Sequence, residues 1–383
     1  MEAPTGDEHM RQIRLIVLEL LVAVAGELAG CGGDRAPNLS QTTENTMSLY
    51  MWADEIAPDT LPSFEKLTGI KVNVSCFDSP EMLESHMLTG SSGFDLVMPS
   101  DAFIQRHLRS GAYAVLDKTK LPNFKHLDPA LMARVASSDP ANAHTVIYDW
   151  GTMGIGYNSA MLARNLPGVT PDSWSLVFDP TLASKLSQCG ISLIDDPVGV
   201  VRMVLISMGR SPNNPRPQDL TDAERVMNKF RPFIRNIDTS SQIQGLANGD
   251  LCMAVAYSGN IVQARKRARE AKSGIVIDYL IPKEGSLLWF DLLAIPKDAP
   301  HPDNAYQLIN YLLEPAVIAH ISNADSFANA NSDATPLLDP SIASDPAIYP
   351  TAGQQQRLFM QTELTFEQIR AITRIWQEFK TGR

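Results

Sequence analysis

Two stretches of the 383-residue chain place an acid two residues after a tryptophan: Trp52-Ala53-Asp54 and Trp289-Phe290-Asp291. Tyr257 precedes Asn260 by three residues, and Phe327 follows a long helical run. Carboxylates beside aromatic faces suit a protonated amine. On leaving water, an ammonium needs charge-assisted hydrogen bonds to carboxylates and ring faces that accept its charge and adjoining methylenes. Glu55 adds another acid in LYMWADEIAPDT, residues 49–60. Taken alone, the pattern also fits amphipathic aromatics packed near sheet ends. Catalytic signatures are missing. GIG at 154–156 is no dinucleotide fingerprint, and there is no P-loop, G-x-S-x-G or H-E-x-x-H. Without a nucleophile–base pair or a metal cluster, no catalytic residue, cofactor or metal is expected. His9, His86, His107, His126, His144, His301 and His320 are scattered and read as surface or capping residues.

The aromatic–acid pairs fall where apolar runs end. From Thr46 the chain alternates strand-like and helix-like segments. A helix is predicted over 58–68, stopped by Gly69, then a strand over 70–77. A second helix opens at Pro80 behind Asp78 and Ser79, and FDLVM (94–98) is a short strand ending at Pro99-Ser100. Further strands are predicted at 154–158, 191–194, 251–257, 275–281 and 287–295, with helices over 219–230, 304–321 and 365–379. Such alternation implies an α/β fold with a largely parallel, covered sheet. Ligands in such sheets sit beyond the carboxyl ends of the strands.

The composition, 44% hydrophobic and 20% charged, is that of a globular protein, and the length suits two domains or two lobes. A formal net charge of −11 argues against nucleic acid or an anionic membrane as partner. Residues 1–31 resemble an export signal. Arg11 and Arg14 precede an apolar run that is too short and interrupted to span a membrane, and Leu28-Ala29-Gly30-Cys31 matches a lipoprotein cleavage site. Glu19 and Glu27 depart from that pattern. Residues 32–45 read as a flexible tether. Of the four cysteines, Cys31, Cys76, Cys189 and Cys252, two of those beyond Cys31 are free to pair in an oxidising compartment, and Cys76 reads most simply as a buried free thiol.

The wording of the chain carries a resemblance. MWADEIAPDTLPSFEKLTGIKV, FDSPEMLE, TGSSGFDLVMPS, GTMGIGYN, SSQIQGLANGD, IPKEGSLLWFDLLAIP, AYQLINYLLEP and HISNADSFANANSDATP, in that order, resemble the polyamine-binding proteins of bacterial ABC transporters, the putrescine-binding type in particular. The similarity runs from about Met47 to Arg383. It implies a two-lobed periplasmic binding protein fold (type II) that closes on a hinge. One lobe is expected to hold 46–148 plus 281–328, the other 149–280 plus 329–383. It also implies a disulfide between Cys189 and Cys252, a small cationic amine ligand, an inner-membrane ABC permease as partner, a monomer, and a periplasmic location with membrane attachment only through a lipid on Cys31.

Carried over residue by residue, the resemblance implies a ligand set of Trp52, Asp54, Ser100, Thr239, Tyr257, Trp289, Asp291 and Phe327. Four positions depart from it. Ala53 replaces a small polar residue, Glu55 replaces a Tyr, Gly199 stands where an acid is expected, and Asn260 is an amidated acid. Two second-lobe carboxylates are thereby lost, which implies weaker binding or a changed ligand. Glu55 and Asp196 are candidates to offset the loss. Equally, Glu55 can be read as facing solvent and Asp196 as a cap before Pro197. A periplasmic amine sensor fits the same residues.

Overall fold

The computed structural model describes residues 45–53 and 55–382. The expected signal segment 1–31 with Cys31, the tether up to residue 44, and Asp54 lie outside these residues.

Among the described residues, eleven strands join one sheet: β1 (Thr46–Trp52), β2 (Lys71–Phe77), β3 (Leu96–Val97), β4 (Thr145–Asn158), β5 (Ile191–Leu193), β6 (Ile234–Ile237), β7 (Met253–Tyr257), β8 (Ile277–Leu280), β9 (Ser286–Ala294), β10 (Ala328–Asn329) and β11 (Leu358–Met360). The main path runs β2-β1-β3-β9-β4-β7-β5-β6. The sheet is mixed, not largely parallel. Its two flanks are parallel (β2-β1-β3 and β7-β5-β6), built by helical crossovers, but β4 and β9 run antiparallel to each other and to their neighbours β7 and β3.

β4 is the element that organises the molecule. Its first part, Thr145 to Thr152, pairs with β9; its second, Met153 to Asn158, pairs with β7 and β8. The 14-residue strand therefore belongs to two hydrophobic cores in succession. Trp150 packs in the first with Met47, Leu49 and Phe290, whereas Met153 and Ile155 pack in the second with Val255 and Trp376. β9 changes core between Leu287 and Leu288. Fourteen residues can cross because all but Tyr157 are buried, in a run with few side chains that need water. Gly154 is required at the crossing, since a Cβ there would run into the Tyr279 ring and the Leu280 carbonyl. Ala330, Ala334, Leu338, Ala347, Ile348 and Leu358 join the first core, and Leu364, Ile372, Ile375, Trp376 and Phe379 the second.

Several expectations need correction. The helix read over 304–321 is two helices, Pro302–Leu312 and Pro315–Asp325. Pro315 has no N–H and its ring clashes with the preceding turn, so the first helix ends before it and a new one begins on it. The strand at 154–158 is the second part of β4. His107 is neither a surface nor a capping residue: it is fully buried, 2.7 Å from the Tyr113 hydroxyl, and burial pushes its pKa down to about 4. Cys76 is half-buried and is not a free thiol; it lies on β2, an edge strand of the sheet among the described residues. Cys189 and Cys252 form a disulfide with Cα atoms 5.4 Å apart and a sequence separation of 63. No helix among the described residues is long and apolar enough to cross a membrane.

Candidate functional site

The first-lobe site is built on the β4–β9 ladder. A bulge between Ile147 and Asp149 sets Asp149 directly opposite Asp291, and Gly151 opposite Trp289. Side chains two apart on a strand share a face, so both acids, Gly151 and Trp289 present one surface. The missing side chain at Gly151 makes the space for the indole; a Cβ there would lie 2.8 Å from its Cε2.

Three segments converge on Asp291. Trp52, the last residue of β1, donates its Nε1–H to Asp291 Oδ1 at 3.0 Å. Ser100, beyond the end of β3, donates its hydroxyl to the same oxygen at 2.6 Å. The loop after β1 is tied down by the Tyr148 hydroxyl, which donates to the Glu55 carbonyl at 2.6 Å. This brings carboxylate oxygens of Glu55, Asp149 and Asp291 within 4.8 Å of one another. Asp101 accepts the Phe290 N–H at 3.1 Å, and Asp325 accepts the Phe327 N–H at 3.0 Å.

The electrostatics are those of an anionic site prepared in apolar surroundings. Like charges facing each other across a ladder repel, and burial penalises each further. Asp149 is 3% exposed and neither of its carboxylate oxygens has a hydrogen-bond partner. Burial, then the charges of Asp291 and Asp325, hold its pKa well above the carboxylate range. Burial raises Asp291 to about 6 against the pull of the Ser100 and Trp52 hydrogen bonds, and raises Asp101 and Asp325 to about 7. Arg202, 1% exposed, reaches from the second core. It donates to Gln361 Oε1 and the Thr362 carbonyl, and burial lowers it to about 10 despite Asp196 and Asp101.

The aromatic wall runs between the lobes. Tyr257 meets Trp289 edge-to-face with centroids 5.9 Å apart, and Trp289 meets Phe327 likewise at 5.8 Å. Phe327 lies against Gly259, where a Cβ would overlap its ring. Trp289 Nε1 has no hydrogen-bond partner in the protein. From the second lobe, the Tyr257 hydroxyl donates to Asp196 Oδ2 at 2.9 Å, while Asp196 Oδ1 accepts the Gly199 N–H at 2.9 Å and caps the helix Pro197–Ser207. Asp196 thus both caps and faces the site. A side chain at Gly199 would collide with the Asp196 carboxylate and with Met153 Cε at 2.7 Å, so Asp196 fills the space an acid at 199 would enter.

The structure thus brings together Trp52, Glu55, Ser100 and Asp291, and joins Tyr257, Trp289, Phe327 and Asp196 through ring contacts and one hydroxyl. Glu55 is half-buried and turned to the acids rather than to solvent. Thr239 accepts the Asp195 N–H at 3.2 Å, and Asn260 sits half-buried in the first turn of the helix Ser258–Glu270. Among the described residues neither is joined to the cluster by a hydrogen bond or ring contact. Asp54 lies outside the described residues. Asp149 was missed. Its signal was a lone acid inside the apolar run VIYDWGTMGIGY, where an unpaired charge needs a reason to exist.

Comparison with known proteins identifies the family. Residues 61–351 match the family described as bacterial extracellular solute-binding protein. The putrescine-binding periplasmic protein SpuD of Pseudomonas aeruginosa is 41% identical over 366 residues, 95% of this chain and 98% of that protein. The putrescine-binding periplasmic protein PotF of Escherichia coli is 45% identical over 345 residues, 89% of this chain and 92% of that protein. Among solved structures, the spermidine/putrescine ABC transporter substrate-binding protein PotD of Streptococcus pneumoniae, in complex with calcium and HEPES, superposes with a TM-score of 0.77 at 26% identity, covering 88% of this chain and 99% of that one. The chain belongs to the bacterial extracellular solute-binding proteins, with their two-lobed α/β fold, and it binds a solute rather than transforming one.

Proposed function

We propose that the chain is the substrate-binding protein of a bacterial ABC importer and captures a polyamine such as putrescine between its lobes. The observation that carries this reading is Asp291, buried, raised in pKa, and oriented by Trp52 and Ser100 beside Asp149 and Glu55. Such a group is costly in the empty protein and is relieved by a cation. Trp289, Phe327 and Tyr257 supply the faces along which methylenes lie. Relatives named for putrescine support the choice of ligand. In this proposal Asp54, Thr239 and Asn260 complete the ligand shell.

The partners are an inner-membrane permease and the amine; the protein works as a periplasmic monomer. We assign 46–150 with 288–360 to the first lobe and 151–287 with 361–383 to the second, following the core changes within β4 and β9. The hinge passes through β4 and β9 at the core changes. Export through residues 1–31 and lipidation at Cys31 belong to the same proposal. Intact-mass analysis of the membrane-extracted protein tests the anchor.

Ligand that binds only the folded state raises the melting temperature. A melting screen of folded protein against putrescine, cadaverine, spermidine, agmatine and amino acids is expected to show the largest shift with a diamine. No shift with any amine refutes the proposal. A second reading, a ligand cationic at one end only, rests on the second lobe. There Asp196 is already engaged by Tyr257 and the helix cap, and Gly199 and Asn260 bring no charge. In that case a monoamine such as butylamine gives a shift as large as that of putrescine.

A further inference from the structure

We propose that Asp149 is a specificity-determining residue that, with Glu55 and Asp291, turns the first-lobe end of the cleft into a three-carboxylate seat for a primary ammonium. The inference rests on the polyamine-binding reading above.

Asp149 is the member of this trio with no structural task. Asp291 holds Trp52 and Ser100 through Oδ1. Asp149 makes no hydrogen bond with either oxygen although it is 3% exposed, and it stands opposite another acid on the ladder that carries the molecule's hinge. A buried carboxylate without a donor costs stability, so its place in the fold is explained by something that brings donors. An –NH3+ group brings three. Acceptors at about 2.8 Å from a tetrahedral nitrogen lie about 4.6 Å from one another. The three carboxylates, with oxygens all within 4.8 Å, match that span. A guanidinium, whose donors are planar, and a tertiary ammonium, with one N–H, use the seat less fully. The face that Asp149 and Asp291 share with Trp289 suits the methylenes of an organic cation better than the water and carbonyl ligands that a calcium ion takes.

The groups facing Asp149 are Asp291 on β9, Glu55 on the loop after β1, and Asp325 at the end of the helix Pro315–Asp325. Farther out are Asp101 and Arg202, which face each other, and Lys266, which acts on Asp325. Among the described residues no cation directly offsets Asp149, and the raised pKa values of Asp149 and Asp291 mean that the pair without ligand retains proton near neutral pH. An arriving ammonium displaces that proton to solvent. Binding is therefore linked to proton release, and affinity rises with pH through the range above about 6.

Calorimetric titration of wild type and Asp149→Asn with putrescine, in two buffers of different ionisation enthalpy at about pH 6.5, tests this. Asp149→Ser serves as a second, smaller variant, and each protein's melting is checked first. The expected result is a loss of about tenfold or more in putrescine affinity in both variants, with proton release reduced. The wild-type preference for putrescine over its N,N,N′,N′-tetramethyl derivative should also narrow. Variants that bind putrescine within about twofold of wild type, with unchanged proton release, overturn the inference and leave the proposed function standing. So does calcium chloride binding to wild type more tightly than putrescine in an Asp149-dependent manner. Wild type that binds no amine overturns the proposed function itself.

Discussion

Replacing Asp101 by asparagine should make the ligand-free protein more stable, by an amount that grows with pH. Asp101 begins the helix Asp101–Arg109, where the helix dipole favours an anion. It also accepts the Phe290 N–H and feels Arg202. Burial nonetheless outweighs these, helped by the charge of Asp291, and lifts its pKa from 3.8 to about 7. A carboxyl with a raised pKa in the folded state stabilises folding fully only below the unfolded pKa. As pH rises from about 4 to about 7 the unfolded chain releases this proton and the folded chain keeps it, so stability falls. The shift is about three units, and at about 1.36 kcal/mol per unit the whole loss is about 4 kcal/mol, complete just above pH 7. An asparagine amide at this position would keep an oxygen for the Phe290 N–H and cannot ionise. Asp149, Asp291 and Asp325 titrate in both proteins and largely cancel in the difference. Urea unfolding at about pH 4.5, 6.0 and 7.5, at constant ionic strength and without ligand, should therefore show the advantage of Asp101→Asn increasing by about 3 kcal/mol across the range. An advantage independent of pH, or one that shrinks toward the alkaline end, would refute the account of Asp101 as a buried acid held protonated.

Trp52→Phe keeps a ring but removes the donor that restrains Asp291; putrescine affinity should fall about tenfold, and the midpoint of its pH dependence should move upward, as read by titration across about pH 5 to 8. Asn260→Asp restores an acid at the second-lobe end and should strengthen putrescine binding, whereas Gly199→Glu, which must displace Asp196 and Met153, should lower the melting temperature. Thermal melts and titrations of the two single variants separate these effects. Replacing both Cys189 and Cys252 by serine removes a cross-link of separation 63 and should cost about 3–4 kcal/mol in urea unfolding, without altering the pH dependence of binding.

What the sequence made legible follows from which interactions are local. The strand–helix alternation, the stop at Gly69 and the Pro-led helix at Pro80 are written in adjacent residues, and the elements stand close to where those signals put them. The Trp-x-Asp spacing likewise survives folding, because residues two apart on β9 share a face wherever the strand goes. Pro315 was a local signal too, and it outweighed the amphipathic pattern that ran through it. The rest depends on register. Nothing near Asp149 states that a bulge at Tyr148 will set it against Asp291; that follows from how the 14 residues of β4 pair with a distant strand and then leave it for another. A shift of one residue would turn Asp149 to the other face and leave the indole of Trp289 without the gap at Gly151. The cost of two opposed acids and the space for the indole are therefore fixed by the same pairing. That same pairing carries the chain between the two cores, so the strands that set the acids against each other are the strands both cores share.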